Sequence, residues 1–331
     1  MSLQNHADVT QFGELLLTLY RLSHEQTLDT FQDAALALIK PVLAFDTCMW
    51  GTGMRQPNGV GIDIHTIHLH RLGPDMIAGY EEVKHQDFAA AAMAGQARAT
   101  RGFNADALFT NGKGADFRAY LSRFKLENCF LTTRTNPATD FTQWITLFRA
   151  KAADHCTVEE AQFLHQLAPH VMQALALNRI VHLDRMAPGP GGPQRGAAIS
   201  DLRGVIYHAD PQFKALLATE WTDWKGPALP APLLAQLRSG EERFMGNTLV
   251  VNRRVEHRLL FLSARPRCLA DNLTDRESAI AQLIAKGNTH KEIARLLDRS
   301  PATVRNHIQS IYAKLSVDNI AGLIEALRGL D

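Results

Sequence analysis

The chain has 331 residues, with 35 Lys+Arg against 34 Asp+Glu and a hydrophobic fraction of 46%. At roughly 150 residues per domain, this length predicts two or three domains, each with a core of its own. The near-neutral charge excludes a chain-wide polycation but not a local basic face, and no stretch approaches the ~20 uncharged apolar residues of a membrane span. Met1 to Thr18 carry Asp8 and Glu14 and lack a basic region ahead of an apolar one, which predicts a cytoplasmic protein without a secretory signal. Cys48, Cys129, Cys156 and Cys268 are scattered, with no CxxC, which fits a reducing compartment and argues against a thiolate zinc site.

In chain order, two helical stripes come first. Phe12, Leu15, Leu16, Leu19 and Tyr20 share one face, and Phe31, Ala35, Leu38 and Ile39 another. Strand-like runs follow at Phe45 to Trp50, Gly61 to Leu69 and Trp144 to Ala150. A long helix then starts at the capping box Thr157-Val-Glu-Glu160, with Pro169 expected to kink or divide it. Pro and Gly dominate from Ala187 to Gly196, a composition that holds neither helix nor sheet and reads as a linker. Beyond it, Ala197 to Asp201 and Gly204 to Tyr207 read as a hairpin, followed by a helix over Pro211 to Ala218 and strands over Thr248 to Val255 and Arg258 to Ala264. A softer break covers Arg265 to Asn272. The division is 1–186, a linker at 187–195, 196–267, and 268–331.

The last segment is all helix. Thr274-Asp-Arg-Glu277 and Thr289-His-Lys-Glu292 are capping boxes, Gly287 closes the first helix, and Ser300-Pro301 is an N-cap followed by Pro at the first helical position. A fourth helix follows Asp318-Asn319. A short helix, a tight turn and a second capped helix form a helix-turn-helix. At 100° per residue, Val304, Ile308, Ile311, Tyr312 and Leu315 face the core of the third helix, and Ala302, Asn306, Gln309 and Ala313 lie opposite, with Thr303 and Arg305 at the margins. From Arg299 to Val317 there are three cations (Arg299, Arg305, Lys314) and no acid. Arg bonds guanine edges, and Asn or Gln bonds adenine edges, in the major groove. A solvated face that merely lacks carboxylates is the plainer reading, and charge alone does not separate the two: residues 270–331 hold 8 Lys+Arg and 8 Asp+Glu.

The order of residues separates them. Leu273-Thr-Asp-Arg-Glu277, Ala285-Lys-Gly287, Lys291-Glu-Ile-Ala294, Thr303-Val-Arg-Asn-His307 and Ile311-Tyr-Ala-Lys-Leu315 follow one another over residues 271–330. This pattern resembles the C-terminal DNA-binding domain of the LuxR/FixJ/NarL transcription regulators. The resemblance implies that the third helix enters the major groove, with Arg305, Asn306 and Gln309 reading bases and Thr303 and Lys291 touching phosphate. Arg299 and Lys314 add sequence-blind attraction. It further implies a homodimer through the fourth helix on an inverted-repeat operator, with RNA polymerase as a further partner. Ser316 stands where the family usually has Gly, and Ile320 where it usually has Arg.

The front of the chain has no early acidic pair, and two helices precede its first strand, so it is not a phosphoacceptor receiver. The Trp and Tyr pattern of the family's acyl-homoserine lactone sensors is not recognisable either. Residues 10–182 resemble a mixed α/β GAF-type sensor, through Trp144 to Ala150 and Val158 to His170. Residues 196–265 resemble a small α+β PAS-type domain, through Ile199 to Tyr207 and Asp210-Pro211. The fold class expected is thus multidomain: GAF-like, PAS-like and a four-helix helix-turn-helix.

Phe45, Cys48, Trp50, Phe130 and Trp144 are candidates for an apolar ligand pocket, although aromatic residues of this kind also fill any core. His68 and His70 share a strand face near His65, but no Cys or carboxylate partner is identifiable by spacing, so no metal is expected. Leu164, Leu167, Val171, Leu175 and Asn178 lie near heptad spacing and suit either a dimer seam or packing on their own domain. No GxSxG, HExxH, phosphate loop or GxGxxG is present, so neither an enzyme nor a cofactor is expected. Two rivals fit the same residues: an interaction module that sequesters another regulator without binding an operator, and an enzyme with a DNA-localising tail.

Overall fold

The computed structural model describes residues 3–55, 61–109, 114–186 and 195–328. Most of the Pro/Gly linker, 187–194, lies outside the described residues.

Helices α1 (Leu3–Glu25) and α2 (Phe31–Ile39) precede an antiparallel sheet of β1 (Thr47–Arg55), β2 (Ile62–His70), β3 (Arg98–Asn104), β4 (Asn128–Thr135) and β5 (Phe141–Arg149). Its strand order is β2-β1-β5-β4-β3. Short helices α3 (Asp75–Val83), α4 (Phe88–Ala92), α5 (Ala105–Leu108) and α6 (Ala115–Arg123) cover one face, and α7 (Val158–Met186) lies with α1 and α2 on the other. Strand alternation sorts the side chains. Cys48, Trp50, Phe130, Ile145 and Leu147 pack under α1, α2 and α7, while Met49, Cys129 and Phe148 point to the short helices.

The Thr157–Glu160 capping box closes reciprocally at the start of α7, with the Thr157 N–H donating to Glu160 Oε2 at 3.1 Å and the Glu160 N–H to Thr157 Oγ1 at 3.2 Å. Pro169 sits inside α7 without dividing it. Leu164, Leu167, Val171 and Leu175 are core residues of the first domain, and Asn178 donates to the carbonyls of Ser23 and Gln26. Their near-heptad spacing therefore serves packing against α1 within the chain.

The second sheet comprises β6 (Gly196–Asp201), β7 (Ile206–Ala209), β8 (Arg243–Met245), β9 (Leu249–Glu256) and β10 (Leu259–Pro266), in the order β7-β6-β10-β9-β8. Numbered within each domain, both sheets run 2-1-5-4-3. The expected hairpin is present, closed by the Gly204 N–H donating to the Asp201 carbonyl at 3.0 Å, with Gly204 at φ +89°. Helices α8 (Pro211–Glu220) and α9 (Ala231–Arg238) cover one face. The other face, with Ile199, Leu259 and Phe261, packs on Leu183 of α7 and on Leu28, so α7 belongs to the cores of both sheets.

The C-terminal domain has α10 (Asp275–Ala285), α11 (His290–Leu296), α12 (Pro301–Leu315) and α13 (Ile320–Arg328). Both predicted capping boxes and the Ser300 N-cap are formed. Glu277 does more than cap. Besides the Thr274 N–H, its carboxylate accepts from Ser310 Oγ at 2.9 Å and Lys314 Nζ at 2.6 Å, tying α10 to α12. The junction before α10 is equally fixed. Arg265 donates through both terminal nitrogens to the buried Asp271 (2.8 and 2.6 Å), Arg243 also reaches that carboxylate, and the adjacent Ala270 belongs to the helical core.

Two predictions follow from this packing. Ser316 ends α12 at φ 54°, ψ 42°, the left-handed region that glycine occupies without steric cost. Ser316→Gly should stabilise the C-terminal domain by about 0.5–1 kcal/mol, read as slower amide hydrogen exchange in α12. The Lys314 ammonium, with the Thr274 N–H next, holds the Glu277 carboxyl down to about 2. A depressed carboxyl contributes stability that is present above the ordinary glutamate pKa and lost as pH falls toward the folded value. The wild-type domain should therefore loosen between about pH 4.5 and pH 2, and Glu277→Gln should flatten that dependence while exchange in α10 speeds up at pH 7.

Candidate functional site

The helix-turn-helix presents one continuous polar face. Val304, Ile311 and Leu315 are buried and Ile308 and Tyr312 half-buried against the helical core, as the 100° projection requires. Ala302, Thr303, Arg305, Asn306, Gln309 and Ala313 are all exposed, as are Lys291 on α11 and Arg299 in the turn. Among the described residues, Lys291, Arg299 and Arg305 make no ion pair, so their charge is turned to solvent. The first turn of α12 contains no acid. The Ser300 Oγ accepts from the Thr303 N–H at 3.1 Å, and the Ser300 and Thr303 hydroxyls lie 2.8 Å apart. The remaining free N–H groups of that helix end suit an anion such as a backbone phosphate. Lys314 is placed differently from the other candidates, because its ammonium is bonded to Glu277.

The five candidate pocket residues do not come together. Phe45, Cys48 and Phe130 are buried in the core beneath α1, α2 and α7. Trp50 also lies on that face but reaches the space between the two sheets. Trp144 alone of the five lines an apolar cavity of about 80 Å³ under α3 to α6, with Met49, Ile64, Phe103, Leu131 and Phe148. Adjacent positions on a strand point to opposite faces, and the sequence reading grouped residues from both. The cavity's polar groups were also missed. Asp87 Oδ2 accepts from the Tyr80 hydroxyl at 2.9 Å, and Asp87 Oδ1 accepts from the Ala90 N–H at 2.9 Å. Burial raises the Asp87 carboxyl above its ordinary range, against these bonds.

The histidines separate likewise. His68 and His70 find a carboxylate that spacing could not identify: Asp33 of α2, whose Oδ1 lies 3.0 and 2.7 Å from the two rings. The three donor atoms lie within 4.8 Å of one another, a set suited to a divalent cation, and without one they bond each other and pin β2 to α2. Burial raises the Asp33 carboxyl, but the bonds to His70 and His68 outweigh it and hold it low. His65 turns away. Thr52 faces Thr66 while Gly53 faces Ile64, so His65 is the extra residue of a bulge, and its Nδ1 lies 2.6 Å from Asp201 Oδ2 in the second domain.

Comparisons with known proteins centre on the C-terminal domain. Residues 271–327 match the family described as bacterial regulatory proteins, luxR family. The uncharacterized response regulatory protein YgeK of Escherichia coli K12 is 52% identical over 64 residues, which are 19% of this chain and 44% of that protein. The transcriptional regulatory protein DesR of Bacillus subtilis is 48% identical over 50 residues, 15% of this chain and 25% of that one. The chain thus spans less than half the length of these relatives. Among solved structures, Escherichia coli SdiA is similar over 96% of this chain and 97% of its own, at 12% identity and a TM-score of 0.38. No helix among the described residues is long and apolar enough to cross a membrane. With its capped helices, its core and its ordered motifs all in that register, the C-terminal domain is a helix-turn-helix of the luxR family.

Proposed function

We propose that this chain is a cytoplasmic, sequence-specific DNA-binding transcription regulator that works as a homodimer on an inverted repeat and responds to a small molecule at its front. The observation that carries the reading is the acid-free exposed face of α12, where Arg305, Asn306 and Gln309 stand beside small alanines and the nearby Lys291 and Arg299 make no ion pair among the described residues. Arg305, Asn306 and Gln309 discriminate bases, each good bidentate contact contributing about 1–3 kcal/mol. Lys291, Arg299 and Thr303 hold phosphates, and Lys314 adds to the local field while bonded to Glu277. The fourth helix supplies the dimer contact, with Ile320 exposed at its start, and RNA polymerase is the downstream partner.

The chain divides in this reading into a GAF-like sensor (1–186), a linker (187–195), a PAS-like domain (196–267) and the reader (268–331). The shared 2-1-5-4-3 strand order supports the pairing of two sensor-like domains. The apolar cavity, with Tyr80, Asp87, Tyr120 and Asn128 among its polar lining residues, supports a small-molecule effector. The absence of a catalytic motif in the sequence, together with relatives named as regulators, favours regulation over turnover.

Selection of bound sequences from random duplex DNA tests this reading. The purified chain should recover an inverted repeat, and Arg305→Ala/Gln309→Ala should keep only weak, salt-sensitive binding without a motif. If the wild type and residues 266–331 alone both enrich nothing, the operator-binding reading fails and the sequestering module replaces it.

A further inference from the structure

A guanidinium buried in protein needs an anion or a full set of acceptors, because desolvation raises the energy of its charge. Arg179 of α7 is half-buried and makes no hydrogen bond or ion pair among the described residues. Its Nε is shut off from solvent with no hydrogen-bond partner, and its planar head lies over the Tyr207 ring, 5.0 Å from the centroid. Burial lowers its pKa, against the pull of Tyr207 and Asp201, but a guanidinium stays protonated in a protein. The nearby carboxylate, Asp201, is already occupied. Asp201 Oδ2 bonds His65 at 2.6 Å and the Tyr207 hydroxyl at 3.3 Å, and Asp201 Oδ1 accepts the N–H groups of Arg203 and Val205 at 2.9 and 3.0 Å.

The head of Arg179 opens onto two adjoining cavities between the first and second domains, of about 120 and 50 Å³. Their shared lining is Trp50, Gly51, Thr52, Leu175 and Arg179. Hydroxyls stand beside the cation, with Thr52 Oγ1 at 2.7 Å from Thr66 Oγ1 and 2.6 Å from the Tyr207 hydroxyl. Among the described residues of the lining, the acid is Asp29, and its carboxylate is bonded to His257. The rest of the lining is mixed: Trp50, Leu175 and Leu259 are apolar, and Gln32 and His68 are polar. A forked donor matches the two oxygens of a carboxylate, and the apolar patch of Trp50, Leu175 and Leu259 leaves room for a short hydrocarbon or single-ring body.

We propose that this interdomain space is a binding site for a small organic carboxylate, whose carboxyl group Arg179 holds with help from the Thr52 and Thr66 hydroxyls. The site lies on the opposite face of the first sheet from the apolar effector cavity and stands independently of it. A carboxylate bound there touches α7, β1 and β2 on one side and the β9–β10 turn on the other, so it strengthens the docking of the second domain on the first.

Titration calorimetry and thermal unfolding of the full chain test the site, with benzoate and isovalerate as probes, benzamide as the neutral control and inorganic phosphate as the alternative anion. The expected result is saturable binding of at least one carboxylate with a raised unfolding temperature, and neither effect from benzamide. Arg179→Met should weaken that binding at least tenfold. Without ligand, the same variant should unfold at the wild-type temperature or above, since methionine removes a half-buried cation that makes no hydrogen bond among the described residues. Thr66→Val should weaken binding a few-fold with the fold intact. The proposal is overturned if neither carboxylate binds, if binding survives Arg179→Met, or if phosphate alone binds. A marked fall in unfolding temperature for Arg179→Met also overturns it, by showing that the side chain is a structural tie to Tyr207.

Discussion

A carboxylate taken out of water must have its lone pairs filled, and Asp201 meets that constraint with groups from two domains. Its Oδ1 accepts the N–H groups that close its own hairpin, while its Oδ2 meets His65 of β2 and Tyr207 of β7. The turn of the second domain and its seating on the first are therefore satisfied by one buried group. Tyr207 extends the network to Thr52 and Thr66, and the bulge at His65 exists in the geometry that this contact requires, since an unbulged strand would point the imidazole elsewhere. Because Asp201 is saturated, Arg179 beside it makes no hydrogen bond among the described residues and rests over the Tyr207 ring.

A second buried carboxylate governs the reading end. Glu277 is the N3 residue of a capping box, a local role, yet the same two oxygens take Ser310 and Lys314 from α12. The orientation of the recognition helix on α10 is thus set by a group whose first duty is to start a different helix. Asp271 does the same for the junction, where Arg265 and Arg243 of the second domain hold a turn whose neighbouring Ala270 is part of the helical core. A stretch that reads in sequence as a soft break is in fact closed by a bidentate ion pair. Both partners of that pair lie within the stretch, six positions apart, and only the added Arg243 comes from β8.

This difference explains what could be read from the sequence. Capping boxes, the Ser300-Pro301 N-cap and the 100° face of α12 are contained within a few residues, so the helices and exposed face of the helix-turn-helix are legible in sequence, whereas the tie of Ser310 and Lys314 to Glu277 is not. The hairpin at Asp201 to Gly204 and the capping at Thr157 were legible for the same reason. The front of the chain depends on pairings far apart in sequence: β3 and β4 carry no strong local signal, and helices α3 to α6 are short. The candidate pocket set failed because composition cannot say which of two adjacent strand residues faces which side. Met49 and Trp50, neighbours in sequence, end up facing the apolar cavity and the opposite layer respectively. Asp33 and Arg179 acquire their significance only through partners 35 or more positions away, or through the lack of one.

Contact alone does not make a ligand regulate: it must favour one of two arrangements over the other. The packing limits where a second arrangement can arise. The second and C-terminal domains share Asp271 and its arginines, so that junction resists a hinge. By contrast, the first and second domains meet through α7, the Asp201 network and polar cavities, and polar bonds of this kind can be exchanged for water at modest net cost. A ligand in the apolar cavity touches β1 through Met49, and the next residue, Trp50, lines the interdomain space. Any shift of β1 that accommodates the ligand is therefore felt where the second domain docks. Arrangements that differ at this docking surface would carry the reader with them as a body. The proposed ligand control would thus need no long lever, only a difference in how well two docked states satisfy the charges of Arg179 and Asp201.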